Sequence, residues 1–276
     1  MNILAIGDVM GAAGVKFLQD NLWGFRRANN IDCVVANGEN TAAGNGNGMD
    51  IKSANALIES GVDVITTGNH VWQKKEIYEY LDEKKHTLRP ANFSDKLPGT
   101  GYTILDISGY KILFANFLGN VYMDFGAASY GIASPFDTAD RIFAREKDNF
   151  DFAVIDIHAE ATGEKVAFAK YIDANYKAGL IFGTHTHVQT ADEQILKNGA
   201  GYITDLGMTG AFDSVLGVKN ESIIQRYVTR MSAKFELCDE NIELWGVVAK
   251  INEDSFKCEQ IQRVRFAGIQ KEAAGK

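Results

Sequence analysis

Five short stretches of this chain carry side chains suited to holding metal ions: Gly7-Asp8, Asn37-Gly38-Glu39-Asn40, Gly68-Asn69-His70, His158, and Gly183-Thr184-His185-Thr186-His187. Each follows an apolar run that reads as a β-strand, so each sits where open α/β sheets bind ligands, at the C-terminal ends of strands. One such residue would be unremarkable. Five converging segments are costly to assemble without a use, because clustered carboxylates repel and buried polar groups need partners. Carboxylate and amide oxygens mixed with imidazole nitrogens, without a thiolate, suit manganese, iron or zinc better than calcium or a soft metal. Asp8 and Glu39 bring two negative charges, whereas the Asn and His donors bring none. Two divalent cations would therefore leave the site net positive, which attracts a phosphate ester.

Plainer readings stand beside these. His185 and His187 are two apart after a strand, so their rings diverge unless the backbone turns between them. His158 alone reads as a structural histidine, and only the set lifts it to a ligand. Asp156 reads as a strand-end residue or as support for His158. His86, in a charged segment, reads as surface. Glu160 and Thr162 read as caps for the helix that follows, with contact to a metal-bound water as the sharper alternative. The stretch from Ala43 to Gly48 lacks G-x-x-x-x-G-K and is no P-loop. It is either a turn or a wall beside Glu39 and Asn40.

The elements that must position these residues follow from the apolar pattern. Strands are expected at residues 3–6, 31–36 and 62–66, alternating with helices at 15–29, 50–60 (Asp50 as N-cap, Gly61 as stop) and 74–81. Such alternation points to a mainly parallel sheet. A hairpin follows at 102–107 and 111–117 around Ser108-Gly109. After a weakly periodic loop at 118–135 come a helix at 138–147, a strand at 152–156, a helix at 164–171 and a strand at 180–182. Strands near 201–204, 234–237, 244–251 and 257–266 look antiparallel. One domain over residues 1–270 with two sheets fits, followed by a tail at 271–276.

Composition narrows the classes. The 276 residues are 46% hydrophobic with a formal net charge of -8, enough for a sizeable core but poor for an extended nucleic-acid groove. Three widely spaced cysteines without C-x-x-C suggest neither disulfides nor a thiolate zinc site. Neither a basic leader nor a long apolar span is present, so a cytoplasmic protein without membrane contact is expected.

Seven motifs together carry a family resemblance: Gly7-Asp8-Val9-Met10-Gly11, Asn37-Gly38-Glu39-Asn40, Thr67-Gly68-Asn69-His70, Leu88-Arg89-Pro90-Ala91-Asn92, Asp156-Ile157-His158-Ala159-Glu160-Ala161-Thr162, the run from Gly183 to Asp192, and the run from Tyr202 to Gly210. The pattern resembles the calcineurin-like metallophosphoesterases and, within them, the bacterial YmdB family. That resemblance implies an α/β four-layer αββα sandwich of two mixed sheets. It implies one metal held by Asp8, Glu39, Asn40 and His187 and another by Glu39, Asn69, His158 and His185, with Glu39 bridging and His70 as proton donor. The metals would be iron or manganese, with zinc compatible. The wider superfamily's Asp-x-His after the first strand is here Asp8-Val9-Met10, its bridging Asp is Glu39, and Asn40 takes the vacated ligand position. The activity implied is hydrolysis of a small phosphodiester or cyclic nucleotide, the 2′,3′-cyclic type in particular. A phosphomonoesterase or nucleotidase, or a nucleotide-sensing protein with little turnover, are the alternatives, and self-association is left open.

Overall fold

A computed structural model describes residues 1–44, 46–123 and 131–268. Asn45, residues 124–130 of the expected loop and the tail at 271–276 lie outside the described residues. The first sheet is built from β1 (Asn2–Ile6), β2 (Asp8–Val9), β3 (Cys33–Asn37), β4 (Val64–Thr66), β11 (Met208–Ala211), β12 (Ile242–Ile251) and β13 (Cys258–Phe266), in the order β2-β11-β12-β1-β3-β4 with β13 on β12. The second holds β5 (Tyr102–Ile107), β6 (Tyr110–Leu118), β7 (Phe152–His158), β8 (Ala178–Thr184), β9 (Gln194–Ile195) and β10 (Gly201–Ile203), in the order β5-β6-β7-β8-β10-β9. β1, β3 and β4 run parallel, as do β6, β7, β8 and β10. Both sheets are mixed.

Strand alternation explains the layers. Along β1, Leu4 and Ile6 pack outward with Leu18 and Leu22 of α1 (Gly11–Ala28) and Leu57 of α2 (Ile51–Glu59), while Ile3 and Ala5 point inward. The inward residues meet Phe114, Val154 and Phe182 of the second sheet in a central apolar layer. On the far side, Leu113, Ile155 and Ile181 pack with Phe143 of α4 (Pro135–Arg145) and Phe168 of α5 (Thr162–Asn175). With α3 (Ile77–Glu83) beside α2, the order is helix, sheet, sheet, helix.

Local signals held where the chemistry was strong. Asp50 caps α2 in a reciprocal box: Ser53 N donates to Asp50 Oδ1 at 2.7 Å, and Asp50 N to Ser53 Oγ at 3.2 Å. Ser108 and Gly109, at φ 56° and 90°, form the tight hairpin between β5 and β6. Other expectations need correction. The strand expected at 234–237 makes only an isolated bridge, Val218 to Leu237, because its partner is a short turn and no strand. Its neighbour α6 (Asn220–Thr229) was not expected, since Ile223 is its single buried residue and leaves no apolar stripe to read. β10 is not antiparallel to the core: it pairs parallel with β8. His86 is half-buried, since its carbonyl accepts from Ile65 N beside β4. Among the described residues no helix is long and apolar enough to cross a membrane.

Candidate metal centre

The parallel strands of both sheets end at one edge, and their last residues interlock there. Asn37 Nδ2 and Thr66 Oγ1 from the first sheet donate to Asp156 Oδ2 in the second, at 3.1 and 2.5 Å. Thr184 Oγ1 donates to Asp156 Oδ1 at 2.7 Å. Asp156 is thus a buried tie between the sheets. Burial pushes its carboxyl up to about 6 against the pull of His158 and these hydrogen bonds.

Above this tie lie the side chains singled out from sequence. His158 Nε2 is 3.1 Å from Glu39 Oε1 and 3.1 Å from His185 Nδ1. One donor atom from each of Glu39, His158 and His185 falls within 4.8 Å of the others. A second group adjoins it, with His187 Nε2 at 3.7 Å from Asp8 Oδ1 and 3.2 Å from Asn40 Nδ2. Asp8, Glu39 and His158 are fully buried. Turning the Asn40 amide over would present its oxygen to the same place.

Each histidine has its remote nitrogen pinned. His158 Nδ1 contacts Thr184 Oγ1 at 2.8 Å; that hydroxyl spends its proton on Asp156 and so accepts. His185 Nε2 contacts Glu160 Oε2 at 3.2 Å, and His187 Nδ1 contacts the Leu216 carbonyl at 3.2 Å. Such outward N–H donation orients the ring and turns the other nitrogen inward as an electron-pair donor. Glu160 therefore faces the site and does not cap α5: the N-cap is Ala161, without a side-chain bond. The expected divergence of His185 and His187 is resolved by the backbone, which takes φ 102° and 61° at these residues. Between them, Thr186 N donates to Asp205 Oδ2 at 3.1 Å, and Asp205 is paired with the buried Lys165 ammonium at 2.7 Å. Strain at two β-carbon-bearing residues is typical of functional loops held by their surroundings.

Asn69 is half-buried between two residues that touch the first group. Before it, a β-carbon on Gly68 would lie 2.2 Å from Glu39 Oε2 and 2.3 Å from His158 Nε2, so glycine is what lets the chain pass. After it, His70 N donates to Glu39 Oε2 at 3.2 Å, and His70 Nδ1 is 3.4 Å from Glu39 Oε1. The buried Nδ1 edge leaves the exposure of His70 on the rest of the ring. Gly46 and Gly48 are buried, and a β-carbon on Gly46 would lie 3.4 Å from the Asn40 carbonyl, so the described part of the glycine-rich stretch backs the Asn40 loop.

The electrostatics fit cation binding. Burial raises the Asp8 carboxyl against the pull of His187 and His158, and its Oδ1 is buried without a hydrogen-bond donor. Burial acts upward on Glu39 too, but His158, His70 and His185 hold it near 2. Burial, then His158, pushes His185 down to about 3, leaving it a neutral imidazole. Burial opposes charge on His158, yet Glu39, Asp8 and Asp156 hold it near 9, so its inward nitrogen carries a proton that an arriving cation must displace. Two carboxylates and inward-facing nitrogens packed around a glycine fit divalent cations. Thr184, Glu160, Lys165 and Asp205 were not given these roles from sequence. Asp205, which follows β10 as the other polar residues follow their strands, carried the same strand-end signal.

The chain is similar to known proteins along most of its length. The profile of the YmdB-like protein family matches residues 4–264. A Bacillus subtilis (strain 168) protein named 2′,3′-cyclic-nucleotide 2′-phosphodiesterase is 38% identical over 264 residues, 96% of each chain. A crystal structure of a phosphatase from Mycoplasma pneumoniae superposes with a TM-score of 0.86 at 31% identity, over 96% of this chain and 93% of that one. A 5′-nucleotidase from Candida albicans SC5314 shares the fold alone, with a TM-score of 0.60 at 17% identity over 96% of this chain and 50% of that one.

Proposed function

The chain belongs to the YmdB-like family, and we propose that it is a two-metal phosphodiesterase for small cyclic nucleotides of the 2′,3′ type. It is an enzyme of the metallophosphoesterase kind, as the names of its relatives indicate. The observation that carries the reading is the set of inward nitrogens of His158, His185 and His187, each fixed by a hydrogen bond at its other side, around Glu39 and Asp8.

Asp8, Glu39, Asn40 and His187 would hold one ion, and Glu39, Asn69, His158 and His185 the other, with Glu39 shared. Iron or manganese suits these donors, and zinc is compatible. When bound, such a pair supplies Lewis acidity toward a phosphoryl oxygen and a water of lowered pKa. The neutral amides of Asn40 and Asn69 leave more positive charge facing a substrate than carboxylates would. His70, whose Nδ1 lies 3.4 Å from Glu39 Oε1, would deliver a proton from Nε2 to a departing ribose oxygen. Glu160 and Thr184 hold the rings of their partners in place. The cyclic-nucleotide class comes from the name of the Bacillus relative.

The test is a comparison of metal-loaded protein on bis-p-nitrophenyl phosphate and on p-nitrophenyl phosphate, followed by 2′,3′- and 3′,5′-cyclic nucleotides. Preference for the diester and for the 2′,3′ ring is expected. Preference for the monoester would move the reading to a phosphomonoesterase. Activity on none, with both ions bound, would move it to a sensing protein.

A further inference from the structure

A second cleft, of about 410 Å³, opens between α4, the start of β5 and the segment after β4, and its lining includes Arg89, Arg141 and Arg145. Its size falls within the roughly 300–1,000 Å³ of small-ligand sites. Asp95 is the only carboxylate among the described residues of that lining, with Asp82 and Glu146 acting on Arg89 and Arg145 from outside it. The chain as a whole is acidic, with a net charge of -8. Among the described residues, no carboxylate comes within 4.0 Å of any of the three arginines.

The floor of the cleft is unusual. Arg89 is only 3% exposed, and its guanidinium donates to neutral carbonyls alone: Gly99 O at 3.2 Å, Pro90 O at 2.7 Å and Ser94 O at 3.3 Å. These bonds fix its geometry, and although Asp95 and Asp82 act on it neither carboxylate touches it, so its charge sits in a desolvated place without a contact partner, an arrangement that favours an arriving anion. Thr100 Oγ1, also in the lining, is buried and has no hydrogen-bond partner among the described residues. On the rim, Arg141 and Arg145 are one helical turn apart on α4 and exposed. Arg141 is steadied by Thr138 Oγ1 at 3.1 Å, and Arg145 lies beside Tyr102, whose hydroxyl donates to Glu146 Oε1 at 2.9 Å. Ala91 and Ile142 supply an apolar wall.

We infer that the Arg89–Arg141–Arg145 cleft is a second binding site, separate from the metal centre, for the phosphoryl group of a small phosphorylated molecule. Forked guanidiniums suit a tetrahedral dianion, which accepts paired hydrogen bonds from more than one of them. The apolar wall leaves room for the remainder of a molecule such as a nucleoside monophosphate. The cleft also touches the catalytic edge. Ala91 N donates to Asn116 O at 2.7 Å, and Asn116 is the register partner of Asp156, two residues before His158.

Isothermal titration of the metal-loaded full chain with inorganic phosphate, AMP and adenosine tests this, using wild type and the R141A/R145A double variant. Both positions are exposed on a helix, so folding is retained; circular dichroism checks it. Wild type should bind phosphate and AMP at one class of site beyond the metal centre, and adenosine at neither. The double variant should lose that class or weaken it at least about tenfold, while its turnover of bis-p-nitrophenyl phosphate is unchanged. Indistinguishable phosphate isotherms in the two proteins, a single class of site in wild type, or adenosine binding as tight as AMP would each overturn the inference. Failure here leaves metal content and diester hydrolysis untouched, so it is distinguishable from failure of the proposed activity.

Discussion

A centre made of imidazoles depends on which nitrogen of each ring is left over. Thr184 sets this for His158, because one hydroxyl accepts from the ring and donates to Asp156. Thr184→Val keeps the shape and removes both bonds. We expect metal affinity to fall roughly 10–100-fold, as is usual for such supporting partners, read by competition with a chelating dye. Affinity equal to wild type would show that the hydroxyl does not govern the ring. Gly68→Ala probes crowding at the same place. Its β-carbon would press on both Glu39 and His158, so metal content should drop while circular dichroism stays native; full metal content would contradict the packing described. The residues that gather here were legible in the sequence because chemistry restricts metal-donating side chains to few types. The tautomer partners were not, since Glu160, Thr184 and the Leu216 carbonyl become partners only after the chain has folded.

Elements aim these residues, and the loop carrying His185 and His187 is aimed from below. Lys165 on α5 meets Asp205 after β10 with both side chains 1% exposed, and Asp205 in turn accepts from Thr186 N. Lys165→Met strands a carboxylate in the interior. Urea unfolding should show a loss of about 3–5 kcal/mol, and the double change Lys165→Met with Asp205→Leu should recover part of it. A single variant as stable as wild type would rule out the pair as a support. The strands and helices that present the site were legible because apolar periodicity is strong in buried elements: β1, β3, α2, β7 and β8 all appear near their expected places. α6 and the segment at 234–237 failed for the opposite reason. Their apolar residues, among them Ile224, Tyr227, Val228 and Phe235, stay exposed, so periodicity there carried no information about a core.

For the molecule as a whole, the proposed metal centre would close the seam between two sheets. Residues on or just after strands of the first sheet (Asp8, Glu39, Asn40) and of the second (His158, His185, His187) line it, so bound ions would tie the layers together. Ligand binding to the folded state alone contributes about 2.7 kcal/mol at a hundredfold excess over Kd. Chelation should therefore lower Tm by roughly 5–10 °C for each ion lost. Glu39→Ala should show a much smaller change on chelation. An unchanged wild-type Tm would mean the ions do not bridge the layers. The four-layer sandwich was legible through the family motifs, whereas the apolar pattern alone indicated two sheets without their layering. It could not show that Asp156 would stitch the two sheets together.

The most direct check is the number of metal ions per chain, counted by mass spectrometry of purified wild type, His70→Ala and Glu39→Ala loaded under identical conditions. Two ions in wild type, two in His70→Ala with turnover lost, and fewer than one in Glu39→Ala are predicted. Two ions retained without the Glu39 carboxylate, or equal metal loss in both variants, would contradict the shared centre.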